Sequence, residues 1–77
     1  MRSLHLKVFA PDFNPVFDDY IKHFDSCYSH TIIYYEDRIS NKNLIAELTE
    51  HVQTINVLPG RIEIWYSSGA HLELTKC

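Results

Sequence analysis

Residues Arg61–Lys76, RIEIWYSSGAHLELTK, decide the fold that the sequence predicts. Apolar and polar residues alternate on both sides of Ser67-Ser68-Gly69, which is the period of two half-buried strands joined by a turn. Cross-strand partners must point to the same face of a sheet. A two-residue loop would mix the faces, whereas a three-residue loop pairs Ile64 with Leu72. That loop needs a left-handed residue at its end, and Gly69 adopts this conformation at little steric cost.

The second face of this hairpin carries a less ordinary set of side chains. It pairs Trp65 with His71, and Glu63 with Glu73. Two carboxylates facing each other cost a few tenths of a kcal/mol or more. A cationic partner, a protonated His71, or Arg61 placed diagonally across the strands would offset that cost.

Four further elements are predicted upstream of the hairpin. Alternation predicts a first strand over roughly Ser3–Ala10. An apolar stripe at helical spacing predicts a helix that begins at Asn14-Pro15 and ends at Cys27–Ser29. The β-forming run Thr31–Tyr35 has no alternation, which is typical of a strand covered on both faces. A second helical stripe extends from a cap at Ser40 to Asn56.

The resulting element order, β-α-β-α-β-β, predicts an α/β chain in the form of an α+β two-layer sandwich. Right-handed crossovers would place both helices on one face of a four-stranded mixed sheet. The 77 residues are expected to form a single domain, 1–77.

The sheet face opposite the helices is the predicted functional surface. The predicted members are aromatic or ionisable: His5, Phe9, Tyr34, Glu63, Trp65, His71 and Glu73. The sequence does not decide whether Tyr34 or Tyr35 faces this side. Aromatic residues bury large areas and often dominate binding energy. We therefore expect a protein-binding surface, for a foreign protein or for a second copy in a homodimer. The alternative is that the N-terminal arm or a loop covers this face.

Charge makes nucleic acid the weaker alternative partner. Exposed aromatics on a sheet can stack single-stranded bases. The chain has ten acidic and seven basic residues, for a net charge of −3. Phosphate binding requires clustered Lys and Arg, and only Lys7 and Arg61 would lie near the rings.

No catalytic or cofactor motif is present, and the chain is expected to be neither an enzyme nor a cofactor protein. It has no Gly-rich phosphate loop, GxSxG or HExxH. His23, Cys27 and His30 offer three metal-ligand types near a helix end, whereas structural zinc takes four, so no metal site is expected. Cys27 and Cys77 are expected to be reduced, because cytosolic chains rarely keep disulfides, and a bridge between them would need Cα atoms within roughly 7 Å.

The N-terminal region lacks the continuous apolar run of a signal peptide, and no window resembles a membrane span. The expected compartment is therefore the cytoplasm, of a cell or of an infected host. Small size without catalytic motifs is typical of inhibitors and adaptors of the phage-encoded or immunity type, and this is the role that we expect.

Overall fold

A computed structural model describes residues 4–22, 24–25 and 27–76, which form five strands and two short α-helices. The elements, in chain order, are β1 Leu4–Phe9, β2 Pro15–Ile21, α1 Tyr28–Tyr34, α2 Ile45–Glu50, β3 Val52–Leu58, β4 Arg61–Tyr66 and β5 His71–Lys76. Two 3-10 turns, Glu36–Arg38 and Lys42–Leu44, lie between the helices. None of the helices formed by these residues is long and apolar enough to cross a lipid bilayer.

The sheet has the order β2-β1-β5-β4-β3, and every neighbouring pair is antiparallel. The prediction of a four-stranded mixed sheet in β-α-β-α-β-β order is therefore wrong, although the α+β class is similar. The parallel pairs in that prediction came from helices misplaced between strands. In the observed order, three hairpin-type pairs and the β1–β5 pair leave no parallel crossover.

The first predicted helix is the strand β2. Phe17 and Ile21 face the core opposite Val8 and Leu4, as alternation requires. Asp19 holds the inward position between them, yet it is exposed because β2 is an edge strand, and Arg38 forms an ion pair with it. A carboxylate at an inward position breaks the apolar alternation, so the helical period fitted this stretch better.

The other two errors concern the predicted strand Thr31–Tyr35 and the second predicted helix. Thr31 and Ile32 are buried in α1, although β-branched residues disfavour helices, because packing outweighs intrinsic propensity. The second predicted helix ends at Glu50, and Val52–Leu58 is a strand. Pro59-Gly60 forms the two-residue turn into β4, with Gly60 at φ 73°.

The predicted hairpin is confirmed. Ile64 pairs with Leu72, and Trp65 pairs with His71. The Gly69 N–H donates to the Tyr66 carbonyl at 3.0 Å, and Gly69 has φ 98°. The left-handed position that the loop required is thus occupied by a glycine, for which it carries little strain.

One hydrophobic core lies between the sheet and the helices. The helices contribute Ile32 and Leu48, and the central strands contribute Leu6, Ile64 and Leu72, all at most 1% exposed. The sheet residues with the opposite parity point away from this core. They form the open face, which no helix of the described chain covers.

Candidate functional site

The open face is organised in rows that cross the strands, because directly paired residues point the same way. The first row runs from Phe9 in β1 through His71 in β5 to Trp65 in β4. Phe13, from the turn between β1 and β2, contacts the same histidine. We call Phe9, Phe13, His71 and Trp65 the aromatic row.

Three rings of the aromatic row, those of Phe9, His71 and Trp65, form a continuous stack. His71 lies 4.5 Å from Phe9 and 4.3 Å from Trp65 between ring centroids, with interplanar angles of 14° and 16°. The imidazole is only 6% exposed, and its Nδ1 is buried without a partner among the described residues. Phe9 and Trp65 are half-buried and leave part of each ring in contact with solvent. The middle ring is therefore structural, and its neighbours form the accessible surface.

Phe13 is held in an unusual backbone conformation beside the middle ring of this row. Its φ of 66° lies in the left-handed region, which bulky residues rarely adopt. The turn is fixed by the Phe13 N–H donating to the Ala10 carbonyl at 2.8 Å and by Asp12 Oδ1 accepting from the Asn14 N–H at 3.1 Å. The Phe13 ring meets His71 edge-on at 5.7 Å between centroids and remains 63% exposed.

A row of charged side chains lies beside the aromatic row. Glu63 pairs with Glu73 in register, as predicted. The Arg61 guanidinium forms an ion pair with Glu63 and, as the leading cause, holds the pKa of that carboxyl below its ordinary value. Glu73 Oε2 lies 3.4 Å from His71 Nε2, and Lys7 pairs with Glu73 across β1 and β5. The repulsion between the two carboxylates is thus offset in part by the ion pair of Arg61 with Glu63.

His5 occupies a third row, away from the aromatic row. Its ring stacks on Tyr20 at 4.6 Å with an interplanar angle of 24°, and its Nε2 lies 2.5 Å from Asp18 Oδ1. These contacts join β1 to the edge strand β2. Tyr20 itself is 58% exposed and adds a second aromatic surface to the open face.

The structure brings together six of the seven side chains predicted for the site. The six that share the open face are His5, Phe9, Glu63, Trp65, His71 and Glu73. Tyr34 does not join them, because it lies in α1, and Tyr35 is buried in the core. The sequence reasoning missed Phe13 and Tyr20. An apolar ring in the turn Pro11–Asn14 was a signal for Phe13, while the helix prediction concealed Tyr20.

Two earlier expectations fall partly outside the described residues. His23 and Cys77 lie there, so the His23-Cys27-His30 group and the Cys27–Cys77 pair are not described. Cys27 is exposed and unpaired by any disulfide within the described part of the chain. No three His, Cys, Asp or Glu side chains among residues 4–22, 24–25 and 27–76 are grouped to hold a metal ion.

The chain matches no family model, no curated protein and no solved structure. Neither the fold nor a relative therefore supplies a function. The open face and the strand edges are the features from which a function can be inferred.

Proposed function

We propose that this chain is a small non-enzymatic binding module that docks on another protein through the aromatic row. The role suited to such a module is that of an inhibitor or adaptor in the cytoplasm. The observation that carries the proposal is Phe13, a mostly exposed phenylalanine at a left-handed backbone position. Holding a non-glycine residue there costs about 1–2 kcal/mol. The edge-on contact with His71 contributes about 0.5–1.5 kcal/mol, which does no more than offset that cost, so a bound partner is the better reason for a mostly exposed ring at this position.

The aromatic row has the form of a binding hot spot. Trp65 and Phe9 are fixed by the buried His71, so little side-chain entropy is left to lose when a partner binds. Rigid aromatic anchors surrounded by polar residues are typical of the few positions that dominate interface energy. Phe13 extends this anchor by one accessible ring.

Charge favours a partner with an Arg- or Lys-bearing apolar surface. The chain carries a net charge of −3. The carboxylates on the open face are Asp18, Glu63 and Glu73, against the cations Lys7 and Arg61. A cation placed over an exposed ring also gains from the ring quadrupole, by about 0.5–1 kcal/mol at an exposed site. A basic partner is thus attracted both by the rings and by the excess of carboxylates.

Single-stranded nucleic acid is disfavoured by the same charges. Arg61 is engaged by Glu63, and Lys7 faces Asp18 and Glu73 in register. Neither cation is free of a carboxylate neighbour, and phosphates approaching the rings would meet those carboxylates. Affinity for nucleic acid depends largely on uncompensated cations.

The test compares three tagged forms of the full chain in nuclease-treated extract of the source cells: wild type, Phe13→Gly and Ile33→Ser. Phe13→Gly removes the exposed ring and suits the left-handed backbone. Ile33→Ser is the matched control, since it removes a 50% exposed apolar side chain from the helix side. We expect a protein retained by wild type and Ile33→Ser but lost by Phe13→Gly.

The retained protein is then purified, and its affinity is measured by titration with each form. Equal affinity of wild type and Phe13→Gly would overturn the proposal. So would retention only before nuclease treatment, accompanied by tight binding of labelled oligo(dT) or poly(U) that weakens steeply with salt. That outcome would assign the aromatic row to base stacking.

A further inference from the structure

The edge strand β3 is unprotected in a way that the other edge is not. Val52–Leu58 is half-buried at its first residue and exposed at the next six, and it pairs only with β4 within the described chain. No charged residue occurs between Val52 and Gly60. Natural edge strands are usually protected by charge, proline or bulges. The one irregularity of β3 lies at its start, between Val52 and Thr54, and leaves the rest regular.

The opposite edge, β2, shows the usual protection. It begins with Pro15, carries Asp18 and Asp19, and has a bulge where it meets β1. The backbone N–H of Ser40 donates to the Val16 carbonyl at 3.0 Å, so a loop covers part of its free side. The contrast between the two edges indicates that the unprotected edge of β3 pairs with another strand.

Apolar surface continues from β3 onto the helix side of the sheet. Ile55 is 46% exposed and Val57 is 76% exposed, so the helices do not cover these two residues. Beside them lies a groove of about 320 Å³. Its apolar lining comprises Leu4, Phe24, Val57, Leu58, Ile62 and Leu74.

We propose that β3 pairs antiparallel with β3 of a second copy of this chain, extending the sheet across a two-fold axis at Asn56. This register places Ile55 opposite Val57 of the second copy on the helix side, twice by symmetry. It places Thr54 opposite Leu58 of the second copy on the open side. Apolar side chains thus meet apolar side chains on the helix side, as a self-complementary interface requires.

The self-complementary register selects a second copy as the occupant, and charge does not oppose it. Two chains of net charge −3 repel at most surfaces, but β3 brings no charged side chain to the contact. A two-fold axis perpendicular to the sheet keeps both helical layers on one side. Both aromatic rows then lie on the other side, accessible and doubled, so this pairing is independent of the proposed protein-binding function.

The first test is the mass of the full chain by sedimentation equilibrium over a range of concentrations. Wild type is expected to reach the mass of two chains. Val57→Lys, which places a charge on the edge, is expected to remain at the mass of one chain and to keep the wild-type circular dichroism spectrum. Ile33→Lys is the matched control on α1 and is expected to dimerise like wild type.

The second test reads the register by disulfide formation, in a background that carries Cys27→Ser and Cys77→Ser. Asn56→Cys is expected to form an intermolecular disulfide on mild oxidation, because the Cα atoms of residue 56 in the two copies face each other at the two-fold axis, within disulfide range. Thr54→Cys is expected not to, because it faces Leu58 of the second copy. A wild-type monomer at every concentration would overturn the proposal. So would a dimer that survives Val57→Lys but is lost in Phe13→Gly, which would place self-association on the aromatic row.

Discussion

The indole of Trp65 stacks on the imidazole of His71, with centroids 4.3 Å apart and planes inclined by 16°, while Phe9 covers the other side of the same ring. The strands β4, β5 and β1 are thus joined on the open face by three rings in sequence. This contact is separate from the core on the helix side. The stacked rings thus stabilise the open face, which no described helix covers.

Two substitutions of His71 separate the contribution of ring stacking from that of the buried Nδ1 atom. His71→Ala removes the middle of the stack and should lower the free energy of unfolding by about 1–3 kcal/mol, since each ring pair contributes about 0.5–1.5 kcal/mol beyond its buried area. His71→Phe keeps the stack and removes the buried Nδ1 that has no partner among the described residues. It should be at least as stable as wild type in urea unfolding. Equal destabilisation by both changes would contradict the stack.

At Phe13 we expect the glycine variant to be more stable than the alanine variant, which is the reverse of the usual order. Phe13→Ala loses the edge-on contact with His71 but keeps the left-handed backbone, so we expect it to be less stable by about 1 kcal/mol. Phe13→Gly loses the same contact and removes the backbone cost, so its thermal midpoint should lie above that of Phe13→Ala. If alanine were the more stable of the two, the turn would not be strained.

Gly69 provides a related test at the loop of the central hairpin. An added Cβ would come no closer than 3.9 Å to the Pro11 carbonyl oxygen, so Gly69→Ala meets no steric clash. Its φ of 98° nevertheless disfavours any L residue. We expect a loss of about 1–2 kcal/mol in urea unfolding, and a smaller loss for Gly69→Asn, because asparagine tolerates left-handed conformations better. No measurable loss in either variant would mean that the loop can change its conformation freely.

The hydroxyl of Tyr66 is not expected to contribute to the stability of the fold. The side chain is 1% exposed, and its oxygen has no hydrogen-bond partner among the described residues. Burial raises the pKa of this phenol well above its ordinary value. Removing an unsatisfied buried group can be neutral or stabilising, so Tyr66→Phe should unfold at the same or a higher urea concentration. A clear loss of stability would reveal a partner for the hydroxyl.

Asp19 should contribute to the loss of stability in acid. The Tyr20 N–H and then the Arg38 guanidinium hold the pKa of Asp19 below its ordinary value. The folded pKa is lower than that of the unfolded chain, so the contribution is complete above the unfolded pKa of about 4 and is lost as the pH falls through the folded pKa. In Asp19→Asn, the urea midpoint should fall less steeply below about pH 4. An unchanged slope would assign the acid sensitivity to other carboxylates, of which Glu63 is the next candidate.

Strand pairing is predicted most reliably from the sequence where one face of a strand is apolar without interruption. Ile62, Ile64 and Tyr66 alternate without a polar interruption, and this fixed the hairpin, its register and the parity of Trp65 and His71. That parity in turn predicted most of the open face. The site was therefore predictable to the extent that its residues lie on alternating strands.

The two edge strands were missed for different reasons: β2 has a polar residue at an inward position, and the apolar residues of β3 continue a helical pattern. Asp19 points inward on β2 and is compensated by Arg38, a residue that no local pattern connects to it. On β3, Ile55 happened to continue the helical stripe of α2. Phe13 was missed for a different reason, since a turn residue has no strand parity from which its direction can be predicted.

The pairing of β1 with β5 has a consequence for synthesis. Leu4 pairs with Lys76, so the two ends of the described chain meet in the interior of the sheet. A nascent chain can form the β1–β2 and β3–β4 hairpins early, but each remains half of a sheet until β5 emerges to join them. Pairings between distant residues form slowly, and exposed apolar faces aggregate in the meantime. The sheet can therefore be completed only after β5 has been synthesised, and the apolar faces of the two hairpins are expected to stay exposed during that interval.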